Sequence, residues 1–502
     1  MSSATVPAVQ VRRPATGVVT DFKRIVLSRR DAPELRGLAV MVQAELAPDT
    51  VPVVVDAARE RGDLCLELAY SEEPVGNDVE NGNEEGYRIA TDEAVVVSAR
   101  HPAGVYYATR TVLQLVRTGG VDADIVDWPV YPQRGVMLDI GRKYFTPGWI
   151  KKFIRELGWL KLNTLHLHLN DNSGVGLECR AHPEIVSTPA LSREDLASIL
   201  DTAAAHHVTV IPEFDSPAHA RAITRAHPEF ALRDRHGRMH FDKLDFSLPA
   251  ARRLVERVIT EWADLFDGRW FDIGGDEFFA APWEDESLRD PGLFPCLAAY
   301  ASDRRGRPLS AHDGYTIYMN DLADLVHSRG KRAKMWNDHV DPRTGSIAIA
   351  GSVQIDCWIR WNASFPSAAE LAQAGYSLVN RNGDYLYFIL SADEPPGHDI
   401  RKSPEGIYRN WHVRRFMGTA GGSDQDLDRS ASVDGAVLSI WCDSPATMTE
   451  QEVAENVLGW LQSFSQRVWD SPSPANYSTF TLDCRRIGAK SDRASINRLE
   501  PS

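Results

Sequence analysis

A succession of apolar runs, each of strand length and each ending in a polar residue, constrains this chain most. Arg134 to Asp139, Asn163 to His168, Val210 to Asp215 and Phe271 to Glu277 all follow that form. Polar side chains gathered at the ends of successive strands are what a reactive mouth on a β/α barrel requires. The last run stops at two adjacent carboxylates, Asp276 and Glu277, directly after Gly274-Gly275. Neighbouring strand residues face opposite sides, so both acids reach one ligand only if the backbone leaves regular extension there. Glycine permits that departure and leaves room for a bulky ring.

From 134 onward the rhythm is strand then helix. Strands are expected at 134–140, 163–169, 208–214, 270–275, 331–337, 352–358, 376–381 and 434–441. Amphipathic helical stretches fall between most of them, as at 147–160, 192–206, 250–266 and 314–329. The expected fold class is α/β, a (β/α)8 TIM barrel over 131–467 preceded by a small α/β domain over 17–130. In that smaller domain, Leu64 to Tyr70, Tyr87 to Thr91 and Ala94 to Ala99 read as strands, and Tyr106 to Val116 as a helix. Gly76 to Asp78 and Asn81 to Gly86 read as a hairpin loop. Residues 1–16 read as a flexible arm, and 468–502 as a polar extension outside the barrel. The unit at Asp341 to Gly351 is too short for a full helix. The stretch 281–313, rich in Pro, Gly and Arg, reads as a functional loop.

The formal net charge of −15 argues against nucleic acid or an anionic membrane as partner, since phosphate binding needs clustered Lys and Arg. No run approaches the length of a membrane span. The first residues lack the apolar centre of a secretory leader, so the expected location is the cytoplasm, or outside the cell if a leader has been removed. The six cysteines are scattered with no CxxC spacing and no Cys/His cluster, so neither a disulfide framework nor a metal site is expected. No cofactor is expected either.

Read in order, the strand ends offer Asp139 and Arg142; His166, His168 and Asp171; Glu213, Asp215 and His219; then Asp276 and Glu277. Trp336, Asn337 and Asp338 follow, then Trp358, Tyr385, and finally Trp441 with Asp443. Three tryptophans at one mouth, beside acids and an arginine, have the composition of a carbohydrate pocket. Aromatic faces stack on the apolar face of a sugar, and charged groups take its hydroxyls.

These motifs together resemble glycoside hydrolase family 20, the β-N-acetylhexosaminidases. The matching pieces are Arg134-Gly135, Asp139 to Arg142, His166 to Asp171, Pro212 to His219 and Ile273 to Glu277. Met335 to Asp338, Tyr385 to Tyr387 and Ser439 to Trp441 look closest to the dispersin B-like branch. Residues 17–130 are similar to the smaller domain that precedes the barrel in many members.

The resemblance implies an exo-acting, retaining glycosidase. Its partner would be an N-acetylhexosamine-terminated glycan or glycoside, whose own 2-acetamido oxygen attacks the anomeric carbon. It implies Glu277 as general acid and base, Asp276 as holder of the acetamido N–H, and Tyr385 as partner of the acetamido oxygen. Trp336, Trp358 and Trp441 would wall the sugar, and Arg142 and Asp443 would take its hydroxyls. Asp171 and His219 would support from behind, His219 tuning Glu277. Adjacent carboxylates cannot both ionise freely, so one pKa is expected to rise and suit a proton donor.

The chain departs from the family pattern at Asn172-Ser173, Val175, Ala280 and Asp443, the last shorter than the common Glu. Two alternatives stay open: a transglycosylating or metabolite-tailoring intracellular member, and a catalytically silent sugar-binding barrel. The presence of Asp276, Glu277 and Tyr385 argues against the silent barrel.

Overall fold

The computed structural model describes residues 5–46, 50–69, 84–279, 290, 292–343, 346–393, 399–419, 422–472 and 476–489. Eight parallel strands close a barrel: β1 (Gln133–Asp139), β2 (Thr164–His168), β3 (Thr209–Glu213), β4 (Trp270–Asp272), β5 (Arg332–Trp336), β6 (Gln354–Cys357), β7 (Leu378–Asn380) and β8 (Val433–Trp441). β8 closes the ring on β1, with Ala436 opposite Arg134. A short strand, Tyr387–Ile389, adds to the mouth end of β8, with Tyr387 opposite Ser439.

The helices between strands start where their capping residues dictate. Ser192 and Asp195 form a capping box at Arg193–Ala205, and Ser310 with Asp313 does the same at Ala311–Ser328. Leu165 and Leu167 of β2 join the main hydrophobic core. Their neighbours His166 and His168 turn inward, as strand alternation requires. The barrel interior is charged as well as apolar: Lys334 lies 2.9 Å from Asp356, and Arg381 2.6 Å from the same carboxylate, all fully buried.

Among the described residues, the smaller domain is a seven-stranded sheet carrying the helix Pro102–Thr118, which packs between that sheet and the barrel. Tyr106 bonds His206 at 2.9 Å, and Gln114 donates to the carbonyl of Trp159 at 3.1 Å.

Two boundaries differ from the sequence reading. Residues 5–16 are not an arm: Val11–Val19 is an edge strand paired antiparallel to Val121–Asp127. Val6 and Ala8 are buried, their N–H groups donating to Gln114 and Gln466. Arg12, Arg13 and Pro14 hide the strand pattern in sequence, and an edge is where a sheet tolerates proline. Nor does the polar extension begin at 468. The helix Glu450–Trp469 ends in Trp469, which is buried in the small domain's core and donates to Asp127 at 2.9 Å. The helix Tyr477–Ile487 packs against Pro102–Thr118.

Part of the expected loop 281–313 is the helix Pro295–Arg305, packed on Ala311–Ser328. Residues 281–289 and 291 of that stretch lie outside the described residues, as do Ala280, Gly76 to Asp78, Asn81 to Asn83 and the segment 490–502. Among the described residues, no helix is long and apolar enough to cross a membrane.

Candidate active site

β4 ends at Asp272, and the chain then turns sharply through Gly274 and Gly275, whose φ angles are +70° and +100°. A Cβ on Gly274 would sit 2.0 Å from Asp215 Oδ1, and one on Gly275 2.5 Å from the Tyr315 hydroxyl oxygen. Only glycine fits at either position. The turn brings both acids to the mouth, and Glu277 itself lies in the left-handed region at φ +54°. Such a backbone costs about 1–3 kcal/mol in a non-glycine residue and is held by its surroundings. Here the Glu277 N–H donates to Asp338 Oδ1 at 3.3 Å, and Lys243 Nζ donates to the Glu277 carbonyl at 3.4 Å.

The acids are not equivalent. Asp276 is buried, and its Oδ1 has no hydrogen-bond partner among the described residues. Burial pushes its carboxyl well above the usual range, and Asp215, Asp338 and Glu277 add to the rise. The sequence reading assigns the rise to the proton donor. In the structure the enclosed Asp276 carries a rise. His219 sits between carboxylates, with Nδ1 2.6 Å from Asp215 Oδ2 and Nε2 3.2 Å from Glu277 Oε2. Burial opposes charge on this imidazole, but Asp171, Asp276 and Asp215 outweigh it and hold its pKa well above the ordinary value. Asp215, His219 and Asp276 could in principle ligate one ion. Both His219 nitrogens are already committed to carboxylates, which makes this a proton-holding group.

Aromatic side chains form the opposite wall. Trp336 lies 6.0 Å from Trp441 and 6.4 Å from Trp358 between ring centroids, and Tyr387 stacks on Trp358 at 5.7 Å. Tyr387 also stands edge-on to Trp441 at 5.9 Å, completing the box. Two of the three indoles are aimed by acids: Trp336 Nε1 donates to Glu213 Oε1 at 2.8 Å, and Trp358 Nε1 to Asp338 Oδ2 at 2.7 Å. Trp361 Nε1 reaches Asp338 Oδ1 at 3.3 Å. Burial, partly offset by the Trp358 N–H, raises Asp338 to about 7.

A chain of buried charge runs beneath the wall. Arg142 pairs with Asp139 at 2.9 Å and Asp171 at 2.8 Å, and lies 3.9 Å from the half-exposed Asp443. Its guanidinium also sits over Trp441 at 5.2 Å. His168 bridges Asp171 at 3.0 Å and Glu213 at 2.8 Å, and His166 joins the same Glu213 oxygen at 2.8 Å. Arg381 donates to His166 Nδ1, so the His166 proton resides on Nε2 and points at Glu213.

The structure thus gathers Asp276, Glu277, His219, Trp336, Trp358, Trp441, Arg142, Asp171 and Asp443 around one mouth. Tyr385 differs: its hydroxyl donates to Asp424 at 3.1 Å, and burial with Asp424 pushes it up to about 12. Tyr387 and Trp361, given no role in the sequence reading, stand in or behind the aromatic box. The alternation Tyr385-Leu386-Tyr387 is the sequence signal that pointed to Tyr387.

Comparison with known proteins agrees with this geometry. Residues 131–472 match the glycosyl hydrolase family 20 catalytic domain, and 2–128 match domain 2 of the same family. A lacto-N-biosidase of Bifidobacterium bifidum is 27% identical over 97% of this chain, which spans only 41% of that relative's length. A β-N-acetylhexosaminidase of Cellulomonas fimi is 25% identical, with 91% of each chain covered. The structure of an exo-β-N-acetylglucosaminidase from Vibrio harveyi in complex with N-acetylglucosamine superposes with a TM-score of 0.74 at 18% identity, covering 96% of this chain and 76% of that one. The assignment to a branch rests on the sequence motifs alone. With both its barrel and the preceding domain matched, the chain belongs to glycosyl hydrolase family 20.

Proposed function

We propose that this protein is an exo-acting, retaining β-N-acetylhexosaminidase that removes terminal β-linked GlcNAc or GalNAc by substrate-assisted catalysis. The observation that carries the reading is Asp276 Oδ1, a buried acceptor without a donor, beside an aromatic box of sugar-ring size. An acetamido N–H supplies that donor. As the acetamido oxygen attacks the anomeric carbon, the group becomes a cationic oxazolinium ion, and Asp276 gains a counter-charge exactly where its neighbours repel it. The interaction therefore strengthens as charge develops, which is transition-state stabilisation. Glu277 protonates the leaving oxygen and then activates water, with His219 holding its carboxylate. Tyr385 turns from Asp424 to the acetamido oxygen.

The test compares p-nitrophenyl β-glycosides bearing 2-acetamido and 2-hydroxyl groups, with a thiazoline analogue of the intermediate as inhibitor. Cleavage restricted to 2-acetamido sugars and inhibition by the analogue support the reading. Equal rates on both sugars, or no inhibition, overturn it.

A second reading has its own observation. Asp443 is half-exposed and 3.9 Å from an Arg142 already paired with Asp139 and Asp171, which leaves that end of the pocket open. An open end admits a further sugar, so the unit released would be a disaccharide, in keeping with the name of the Bifidobacterium bifidum relative. Release of disaccharide rather than monosaccharide from a p-nitrophenyl disaccharide distinguishes the two.

A further inference from the structure

We propose that the loops following β2 and β3 hold a zinc-type divalent ion at His182, Glu184 and His227, apart from the reaction centre. The residues come from two copies of one short motif, His182-Pro183-Glu184 and His227-Pro228-Glu229. In each, the proline opens a single 3-10 turn, Pro183–Ile185 and Pro228–Phe230, which fixes the direction of the preceding histidine. The two turns meet at one carboxylate oxygen. Glu184 Oε1 lies 2.8 Å from His182 Nδ1 and 3.0 Å from His227 Nε2, and one ligand atom from each residue lies within 4.8 Å of the others.

Two imidazoles and a carboxylate are a donor set that suits zinc. Bonds of about 2.0–2.2 Å in a tetrahedron place donor atoms roughly 3.3 Å apart. Each of the two Glu184–imidazole contacts therefore needs to open by only a few tenths of an ångström, with the two imidazole nitrogens, within 4.8 Å of each other, settling to the same spacing. The Glu184 side chain is 41% exposed, which gives it freedom to move and gives the ion an entry path and a water as fourth ligand. A second observation comes from the far side of His227, whose Nδ1 lies 3.4 Å from Glu229 Oε1. An imidazole that ligates through one nitrogen ordinarily gives the proton on the other to a carboxylate, which fixes its tautomer. Glu184 and Glu229 together balance the charge of the ion.

On binding, His182 moves its proton from Nδ1 to Nε2, His227 keeps the proton on Nδ1, and any imidazolium present releases one proton. No described contact joins the three residues to Asp276 or Glu277. The ion would instead tie the segment that carries Asp171 to the segment that carries His219, acting on the stability of the mouth and leaving the chemistry to the acids.

The experiment titrates chelator-stripped full-length protein with Zn2+, and separately with Ca2+ and Mg2+, by calorimetry and thermal melting. Crystals soaked in zinc are examined by anomalous scattering. The expected result is one zinc bound per chain, a raised Tm, and an anomalous peak between His182, Glu184 and His227. Ca2+ and Mg2+, which take oxygen ligands, should bind there little. His227→Ala and Glu184→Gln should each weaken zinc at least about ten-fold and remove the rise in Tm, with Glu229→Gln weakening it less. If either variant fails to fold, His182→Gln takes its place with the same expected loss. No zinc binding, unchanged affinity in the variants, or a peak elsewhere overturns the proposal. Glycosidase activity is read separately, and zinc binding stands or falls without it.

Discussion

The His219 imidazole reaches the Glu277 carboxylate, Nε2 to Oε2 at 3.2 Å, while its other nitrogen is anchored on Asp215. His219 thereby passes the fixed position of Asp215 on to a side chain at the end of an irregular turn. His219→Gln is expected to lower kcat roughly ten- to a hundred-fold, the loss of a hydrogen bond to a charged group worth about 1.5–3 kcal/mol. Because folding raises the His219 pKa, its contribution to stability is complete below about pH 6.5 and fades as pH rises through the raised value. The Tm gap between native and variant should therefore narrow in alkaline buffer. A gap that widens there removes the charged imidazole from the account.

Glu277→Gln should abolish cleavage of poor leaving groups and spare activated aryl glycosides more. An aryl oxide departs without a proton, so the loss of a general acid matters less. Equal loss on sugar and aryl leaving groups would take Glu277 out of the acid role.

Asp276 offers a trade between stability and activity. Its carboxyl is raised by burial and by three neighbouring acids, so ionising it in the free protein is unfavourable. Asp276→Asn should raise stability at neutral pH by on the order of 1 kcal/mol, a few degrees in Tm, while kcat falls sharply. The sign follows from the upward shift: stability is lost as pH rises above the unfolded value of about 4, so the gain should vanish in acid below it. Melting both proteins across that range checks the direction.

The barrel was legible because its first four strands are apolar runs closed by polar residues and the strand-then-helix rhythm continues after them, and the adjacent carboxylates Asp276 and Glu277 because glycines announce the turn before them. What sequence concealed was contact over distance. Nothing local in Trp469 tells that it plugs the core of a domain more than three hundred residues earlier, against Asp127. The strand Val11–Val19 carries arginines and a proline that an edge tolerates and a central strand does not. In the site, Trp361 is visible only through Asp338, whose two oxygens receive two indoles from the next loop. The clustering of His182 with His227 depends on two turns meeting in space, which spacing along the chain does not show.

Tyr385 and Tyr387 can be separated by phenylalanine substitution. The Tyr385 hydroxyl donates a hydrogen bond to Asp424 in the free protein, whereas Tyr387 packs flat on Trp358. With the acetamido oxygen as its proposed target, Tyr385→Phe is expected to lower kcat alike for aryl and sugar leaving groups. Tyr387→Phe keeps the ring and should act mainly on KM. Combined with Asp276→Asn, Tyr385→Phe should cost less than the sum of the singles, because both align one group. Additive losses would show that the two act on different steps.

Asp338 is expected to set a pH dependence of its own. It accepts from the Glu277 N–H, from Trp358 Nε1 and from Trp361 Nε1, so it fixes the left-handed turn and one side of the aromatic box together. Burial and the nearby Glu277 charge bring it to about 7 in the free protein. Below that value it gains a proton, one oxygen becomes a donor, and an N–H loses its acceptor. Activity should therefore rise through a transition near neutral pH that reports on Asp338. In Asp338→Asn one end of the amide is always a donor, so the transition should disappear and kcat stay low across the range. Loss of a buried acceptor also costs about 1–3 kcal/mol of stability. Melting curves separate that cost from the kinetic effect. A variant that keeps the neutral transition would assign it to another group and leave Asp338 a structural support for the indoles alone.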